Sequence, residues 1–206
     1  MTDTAEAAVD AFITLVAERG FVDVTLPDVA EAAGIGLADL HRVHADKVAL
    51  TAAFMARVDG QVLGGTSTRR DPEETPRDRL FDVMMRRYDA LRPYRETLRA
   101  IRRAATRDPL LAIAIGPALR RSMGAMLQAA GLPSEGLAGA VRENGLLAIH
   151  YAVSRTFDRD ETEDLSKTMA ALDSRLKVAE RWSQLFEKYK RSRPEAKADG
   201  FGSPSG

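Results

Sequence analysis

The side chains best suited to bind an anionic partner lie between residues 37 and 47. This window contains Arg42, Lys47 and two histidines, His41 and His44. An arginine can donate two hydrogen bonds to one guanine edge, and lysine supplies a point charge that suits phosphate. The two histidines are three residues apart, a spacing that also suits two ligands of one metal ion. Two unrelated histidines on a solvated helix explain the same spacing more simply.

Catalytic arrangements are not recognisable in the sequence. There is no nucleophile in a strand-turn-helix motif, no glycine-rich phosphate loop and no cluster of metal ligands. Cysteine is absent, which excludes disulfides and thiolate metal sites. We therefore predict a binding protein, not an enzyme, with no metal and no cofactor.

Residues 22–50 predict three helices joined by tight turns. Thr25 is a capping residue, and Asp28 stands at the third helical position, where a carboxylate favours the helix start. Gly34 suits the left-handed turn after this helix. A short helix over residues 37–43 follows, and then a longer third helix. Two short helices joined by a glycine turn form a helix-turn-helix, whose second helix can enter the DNA major groove.

The composition is typical of a soluble globular protein, with 45% hydrophobic and 29% charged residues among 206. No apolar run approaches the roughly 20 residues that a membrane span needs. The first residues are acidic and lack the layout of a signal peptide. We therefore expect a cytoplasmic protein without a membrane span.

Charge is distributed unevenly along the chain, although its formal net value is zero. Residues 1–58 contain nine acidic and four basic side chains, whereas residues 69–107 contain twelve arginines and seven acids. DNA binding depends on clustered cations because each phosphate contact releases counterions. The helix-turn-helix region is thus acidic, and the basic character lies outside it. Arg99, Arg102 and Arg103 can face a lipid headgroup or an acidic partner, or can form a solvated helix face.

Apolar residues at helical spacing predict an all-α chain of about nine helices. We expect a helix-turn-helix head over residues 1–48, a helical body over 49–190 and a disordered tail over 191–206. Three local features refine this prediction: Thr75 and Pro76 begin helix five, Gly116 and Pro117 kink helix seven, and Ser134 caps helix eight.

Two interpretations are open for the apolar residues of the body. Methionine adapts to irregular ligands, so methionine, aromatic and aliphatic side chains can line a pocket for a small hydrophobic ligand or lipid. Plain core packing explains the same residues equally well, and one of them, His150, suits a hydrogen-bonded core position. The set consists of Met84, Tyr88, Ile113, Met123, Met126, Leu127, Leu147, His150 and Tyr151.

Helix nine contains apolar residues that alternate at intervals of four and three. Such a repeat is typical of a coiled-coil-like seam between helices. The seam residues are Leu165, Met169, Leu172, Leu176 and Trp182.

The head resembles the TetR family of transcriptional regulators. The resemblance rests on AERGF at residues 17–21, VTLPDVAEAAGIG at residues 24–36 and a lysine one turn after the next short helix, and it covers about residues 8–55. It implies a TetR-like fold, a palindromic double-stranded DNA operator, a small-molecule pocket in the body, and a homodimer formed by helices eight and nine, with the seam of helix nine at the interface. It also implies DNA contacts from Thr25, Leu37, Asp39, His41, Arg42, His44 and Lys47.

Four residues depart from the family pattern. Gly36 stands where the family has a small capping side chain, His41 where it has a tyrosine, and His44 where it has an aromatic residue. Asp39 adds a negative charge to the reading helix, and Arg42 is its only arginine.

The body resembles a second group, the lipid-binding accessory proteins of ubiquinone biosynthesis, which have a TetR-like fold. This resemblance rests on DLSKTMAALDSRL at residues 164–176 and RLFDVMMRRYDAL at residues 79–91. Two hypotheses follow. The chain is a dimeric, ligand-responsive repressor, or it is a carrier of an isoprenoid lipid that does not bind DNA.

Overall fold

A computed structural model describes residues 2–66 and 73–192, with side chains for residues 3–66 and 73–182. The predicted tail over residues 191–206 lies outside the described residues except for Arg191 and Ser192, which end the last helix instead of belonging to a tail.

The described residues form α-helices and one 3₁₀ turn, with no strand among them, which confirms the all-α prediction. The helices are Thr2–Arg19 (α1), Leu26–Ala32 (α2), Leu37–Val43 (α3), Lys47–Gly64 (α4), Pro76–Leu91 (α5), Arg95–Arg107 (α6), Pro109–Ala129 (α7), Gly136–Phe157 (α8) and Ser166–Ser192 (α9), with the 3₁₀ turn at Arg92–Tyr94.

The first three helices enclose a small core. Val9, Phe12 and Val16 recur on one face of α1 and are buried. Phe21 packs back onto this face, with its ring centroid 6.2 Å from that of Phe12 in an edge-to-face geometry. Leu40 of α3 is fully buried against the same core. These contacts fix the orientation of α3 relative to α1.

The α4 helix connects this head to the body. It packs against α1 at the head and against α5 and α7 in the body. Leu50, Phe54 and Val58 are fully buried along it. The ring of Phe54 also meets that of Tyr94 edge to face, 5.1 Å between centroids. Head and body therefore share one continuous apolar core.

The α7 helix contributes several buried apolar side chains to the body core. It is the one described helix long and apolar enough to span a membrane, with a mean hydropathy of 1.3 and 44% of that window buried inside the fold. A core helix of a soluble protein gives the same values, and Met123, Met126 and Leu127 of α7 are indeed buried.

The α7 helix includes Gly116 and Pro117 within its bounds, Pro109–Ala129, and the kink expected at this pair stays a prediction. The predicted cap of α8 is wrong. Ser134 does not cap α8, which follows Glu135 without a side-chain cap. The Ser134 hydroxyl instead accepts a hydrogen bond from Gln128 at 2.8 Å. The chain before α8 passes close to Gly139 of its first turn. Only glycine fits at this position, because a Cβ there would lie 2.1 Å from the Ser134 carbonyl carbon.

A buried polar network joins α4, α5 and α7. The Arg87 guanidinium, 2% exposed, lies 3.3 Å from Asp59 and donates to the Ser122 hydroxyl at 2.8 Å. That hydroxyl donates in turn to Asp59 at 2.6 Å. The two charges compensate each other in an apolar setting, where either one alone would be strongly unfavourable.

We expect Asp59→Ala to lower the free energy of unfolding by about 3–5 kcal/mol, because it leaves the buried Arg87 charge without a counterion. Urea denaturation followed by circular dichroism measures the change. Asp82→Ala removes an exposed acid from α5 and is expected to cost less than about 0.5 kcal/mol. Equal losses in both variants would show that the network is not stabilising.

Candidate nucleic-acid interface

The start of α2 is fixed by a reciprocal cap between Thr25 and Asp28. The Asp28 carboxylate accepts from the Thr25 backbone N–H at 2.8 Å and from its hydroxyl at 2.5 Å, while the Asp28 N–H donates back to that hydroxyl at 3.3 Å. These hydrogen bonds, with Arg19 at 3.8 Å, lower the pKa of Asp28. The hydroxyl proton of Thr25, a residue predicted to contact DNA, is thus donated to Asp28 of the same chain.

The turn after α2 depends on Gly34. Its φ is +66°, in the left-handed region that favours glycine. The Ile35 N–H then donates to the Ala30 carbonyl at 3.0 Å and closes the corner. Gly36 precedes α3 and provides no side-chain cap. Backbone geometry and Leu40 therefore position α3, and a capping side chain does not contribute.

The outer face of α3 is open to solvent. Leu37 is 48% exposed, and the side chains of His41 and Arg42 are exposed beside it. The buried Leu40 points the opposite way, into the head. The structure therefore presents the predicted reading face on the molecular surface.

Arg42 forms an ion pair with Asp39 one turn earlier on this face. Their side chains are 69% and 49% exposed. A pair this exposed contributes only about 0.3–0.5 kcal/mol, so Arg42 can leave Asp39 for a stronger partner at little cost. Asp39 nevertheless keeps a negative charge beside the only arginine of α3.

Lys47 has an internal role. Its ammonium donates to the carbonyl oxygens of Phe21 at 2.7 Å and Val24 at 2.8 Å, with Val22 at 3.4 Å. It also lies 4.7 Å from the centre of the Phe21 ring. Partial burial lowers the pKa of Lys47. Lys47, predicted to contact phosphate, thus ties the loop before α2 to the start of α4.

His44 is turned towards α1 and is half-buried. Its Nε2 lies 3.4 Å from the Ala5 carbonyl oxygen. His44 therefore packs at the rear of α3, whereas His41 lies on the outer face. The described residues contain no group of three or more potential metal ligands.

Arg57 of α4, the remaining cation of residues 1–58, lies between two acids of α1. It is 2.6 Å from the Glu6 carboxylate and 2.5 Å from that of Asp10. These partners raise the pKa of Arg57, although its partial burial acts in the opposite direction. Arg19, Arg42, Lys47 and Arg57, the four basic residues between positions 3 and 58, are therefore all engaged within the protein.

The predicted ligand residues divide into two groups. Met84, Met123, Met126 and Leu127 are buried and packed together in the body, with Leu147 partly buried against the same core. Ile113 and Tyr151 do not join this buried group, because their side chains are 71% and 49% exposed. Ile113 lies on the outward face of α7 and Tyr151 on that of α8. The helical spacing of apolar residues alone does not distinguish an outward face from a buried one.

Tyr88 and His150 form a buried polar pair within this core. The Tyr88 hydroxyl lies 3.1 Å from His150 Nδ1, and the two rings are stacked with centroids 5.8 Å apart. Burial raises the pKa of Tyr88. Burial, together with the positive charges of Arg87 and Arg102, holds the pKa of His150 well below its ordinary value. His150 is therefore neutral and hydrogen-bonded.

The predicted seam of α9 is mostly internal. Leu165, Leu172 and Leu176 are 0%, 0% and 4% exposed, so the prediction that they form a dimer interface is wrong. They pack within their own chain because α9 lies against α5 and α8. Only Met169 and Trp182, 39% and 62% exposed, remain on the surface.

An apolar surface stripe on α8 and α9 was missed by the sequence analysis. Leu137 and Val141 of α8 are 89% and 71% exposed, and Val178 of α9 is 48% exposed. Together with Tyr151 and Trp182 they line the outer faces of two antiparallel neighbours. The four-residue spacing of Leu137 and Val141, and of Val178 and Trp182, was available as a signal.

A surface cavity between α6 and the end of α8 is the second missed feature. Its volume is about 340 Å³, and its lining is strongly basic. The lining residues are Arg99, Arg102, Arg103, Thr106, Asp158 and Arg159. The α6 arginines were recognised in the sequence, but the contribution of residues more than 50 positions away was not.

Comparison with known proteins identifies the fold. No family model and no curated protein sequence matches the chain. Among solved structures, a TetR transcriptional regulator from Nitrosomonas europaea ATCC 19718 is similar, with a TM-score of 0.67 and 22% identity over 85% of this chain and 96% of that one. A TetR transcriptional regulator from Rhodococcus sp. RHA1 gives a TM-score of 0.61 and 21% identity over 85% and 96%. The chain therefore has the TetR-like fold that the sequence predicted.

The buried histidine makes stability depend on pH. Because the pKa of His150 is lowered in the folded state, protons bind preferentially to the unfolded chain, whose histidine titrates near about 6.5. We expect the free energy of unfolding to fall as the pH drops below this value, by up to about 1.4 kcal/mol per unit. Urea denaturation between about pH 5.5 and 7.5 tests this.

His150→Gln keeps a hydrogen-bonding group near Tyr88 and is expected to flatten the pH dependence. His41→Gln, on the exposed face of α3, is the matched control and should leave the dependence unchanged. The interpretation fails if wild type and His150→Gln respond to pH with the same slope.

Proposed function

We propose that the chain is a homodimeric, DNA-binding transcriptional regulator of the TetR type, and not an enzyme. The observation that carries this proposal is the outward face of α3, where His41 and Arg42 are exposed while Leu40 anchors the helix in the head. Similar structures named as TetR transcriptional regulators support the same assignment. A cytoplasmic location follows from this role.

Arg42 is the proposed base-reading residue. Its guanidinium can exchange the exposed Asp39 carboxylate for the O6 and N7 atoms of guanine, a bidentate contact that discriminates bases by about 1–3 kcal/mol. Leu37 and His41 flank it on the same face. Thr25, His44 and Lys47 contribute mainly by positioning. Thr25 caps α2, His44 connects the end of α3 to α1, and Lys47 connects the start of α4 to the loop before α2.

The exposed stripe of α8 and α9 is the proposed dimer interface. Burying Leu137, Val141 and Trp182 against a second copy removes a large apolar surface from water. Two-fold symmetry would present the two α3 helices to successive major grooves of a palindromic operator, about 34 Å apart. Repression and a response to a small hydrophobic ligand belong to the same proposal. The methionine-rich core between α5, α7 and α8 can repack around such a ligand.

A lipid-carrying accessory protein is the second candidate. The charge of the head favours it: residues 1–58 contain nine acids against four bases, and all four bases are engaged internally. A head that carries no net cationic surface gains little from counterion release on DNA.

Titration of the protein against the DNA upstream of its own gene, at two salt concentrations, separates the candidates. The regulator is expected to prefer a palindrome and to lose affinity as salt rises. A lack of binding at low salt would exclude it. A co-purified isoprenoid lipid, identified by mass spectrometry, would then favour the carrier.

Asp39→Asn is expected to tighten DNA binding by about threefold to tenfold, since it frees Arg42 and removes a negative charge that would face phosphates. Arg42→Ala is expected to weaken binding and to relax preference at one base position. Fluorescence anisotropy with a labelled duplex measures both. Glu135→Gln, which removes one exposed acid at the start of α8, is the charge-matched control and should change little. Weaker binding by Asp39→Asn would contradict this docking.

Val141→Glu is expected to weaken the dimer by about 30-fold or more, because it places a charge at the centre of the apolar stripe. Sedimentation velocity at several protein concentrations measures the shift. Val22→Glu alters a valine of similar exposure, 69%, in the head and should leave the dimer intact. An unchanged dimer in Val141→Glu would place the interface elsewhere.

A further inference from the structure

The basic cavity beside α6 has features of a built site. Arg99 and Arg102 are held in place by the carboxyl end of α8: Arg99 donates to the Asp158 carbonyl, and Arg102 forms an ion pair with the Asp158 carboxylate. Their side chains are only 35% and 27% exposed. These two guanidinium groups are therefore oriented before any ligand arrives, in contrast to arginines on a solvated helix face.

Donors in the cavity remain unused. Arg99 and Arg102 form ion pairs with carboxylates, whereas Arg103 and Arg159 form none with the described residues. Arg102 donates only through Nη1 to its protein partners, Asp158 and, at 3.5 Å, the Ser154 carbonyl. Planar guanidinium groups with free N–H donors match the oxygens of phosphate and carboxylate.

Positive charge exceeds negative charge in this space. Four guanidinium groups and one carboxylate line the cavity, and the Glu96 carboxylate pairs with Arg99 at 2.6 Å from outside the lining. Positive charges still outnumber negative ones, and Arg155 lies close enough to act on Arg102. Burial lowers the pKa of Arg102, and the like charges of Arg99 and Arg155 lower it further. An anion that enters this space would relieve the repulsion between the guanidinium groups.

We propose that this cavity binds the oxyanion group of a small soluble molecule, of the phosphate or pyrophosphate class. Arg103 and Arg159 would bind the anion directly, with Arg99 and Arg102 as the oriented wall behind it. The volume of about 340 Å³ lies at the lower end of the range for small-molecule sites. The site is separate from the methionine-rich core, where a hydrophobic ligand would bind.

The α6 helix also offers a route from this cavity to the head. Thr97, buried on α6, donates its hydroxyl to the Ile13 carbonyl of α1 at 3.0 Å. Ile101 and Ala104 are buried on the same helix, which packs against α1. An anion that draws Arg102 away from Asp158 would change how α6 lies between α8 and the head. This coupling, unlike the site itself, rests on the proposed function.

Isothermal titration with inorganic pyrophosphate, at fixed ionic strength and without DNA, tests the site. The wild-type chain is expected to bind, and the double variant Arg103→Gln/Arg159→Gln is expected to bind at least about tenfold more weakly. Arg92→Gln/Arg121→Gln removes two exposed arginines outside the cavity and should match the wild type within about twofold. Circular dichroism verifies that each variant is folded.

Three outcomes would overturn the proposal. The first is a lack of binding to the wild type, and the second is equal weakening in both double variants, which would indicate a general charge effect. The third is binding to vesicles of phosphatidylglycerol, but not to pyrophosphate, that depends on Arg103 and Arg159. That result would assign the cavity to a lipid headgroup and not to a soluble anion.

A separate measurement tests the coupling. DNA affinity is determined with and without pyrophosphate in the wild type and in Arg103→Gln/Arg159→Gln, at constant ionic strength. Coupling predicts a pyrophosphate-dependent change in the wild type alone. Pyrophosphate binding without any DNA binding would refute the proposed function and support the anion site. DNA binding without pyrophosphate binding would refute the anion site and support the proposed function.

Discussion

One continuous helix, α4, fixes the geometry of the whole molecule, because a charged side chain anchors it to the head and another anchors it to the body. Lys47 in its first turn donates to carbonyl oxygens of the loop before α2. Asp59, three turns later, compensates the buried Arg87. Between them runs an unbroken apolar face that includes Leu50 and Phe54. One helix about 27 Å long therefore contributes to the core of the head and to the core of the body.

Local signals in the sequence were sufficient to predict the helices near their observed bounds. Thr25 with Asp28 caps α2, and Thr75 caps α5, as the sequence predicted. Such caps act over three or four residues, so they can be recognised without knowledge of the fold. Gly34 is similar, since its positive φ is a requirement of one turn.

Local signals do not predict which element packs against a given face of a helix. The a/d spacing of Leu172 and Leu176 fits a seam within one chain as well as a seam between two chains, and the structure chooses the first. Lys47 gave no sign of its internal carbonyl partners, which are 23 to 26 positions away. The basic cavity likewise needs α6 and the end of α8 together. These features depend on contacts between residues that are far apart in the sequence, and such contacts cannot be predicted from one sequence by local patterns.

Under the proposed function, the ion pairs and hydrogen bonds of the head's cations bear on how the protein would search a genome. Affinity for arbitrary DNA comes almost entirely from phosphate contacts, whereas the right site adds base contacts. A head whose positive groups, apart from the exchangeable Arg42, are held by partners within the chain would dwell only briefly on random sequence and would diffuse mainly through the surrounding solution. Sliding along the duplex would contribute little, so the number of binding sites and the copy number of the protein would set the time needed to find a target.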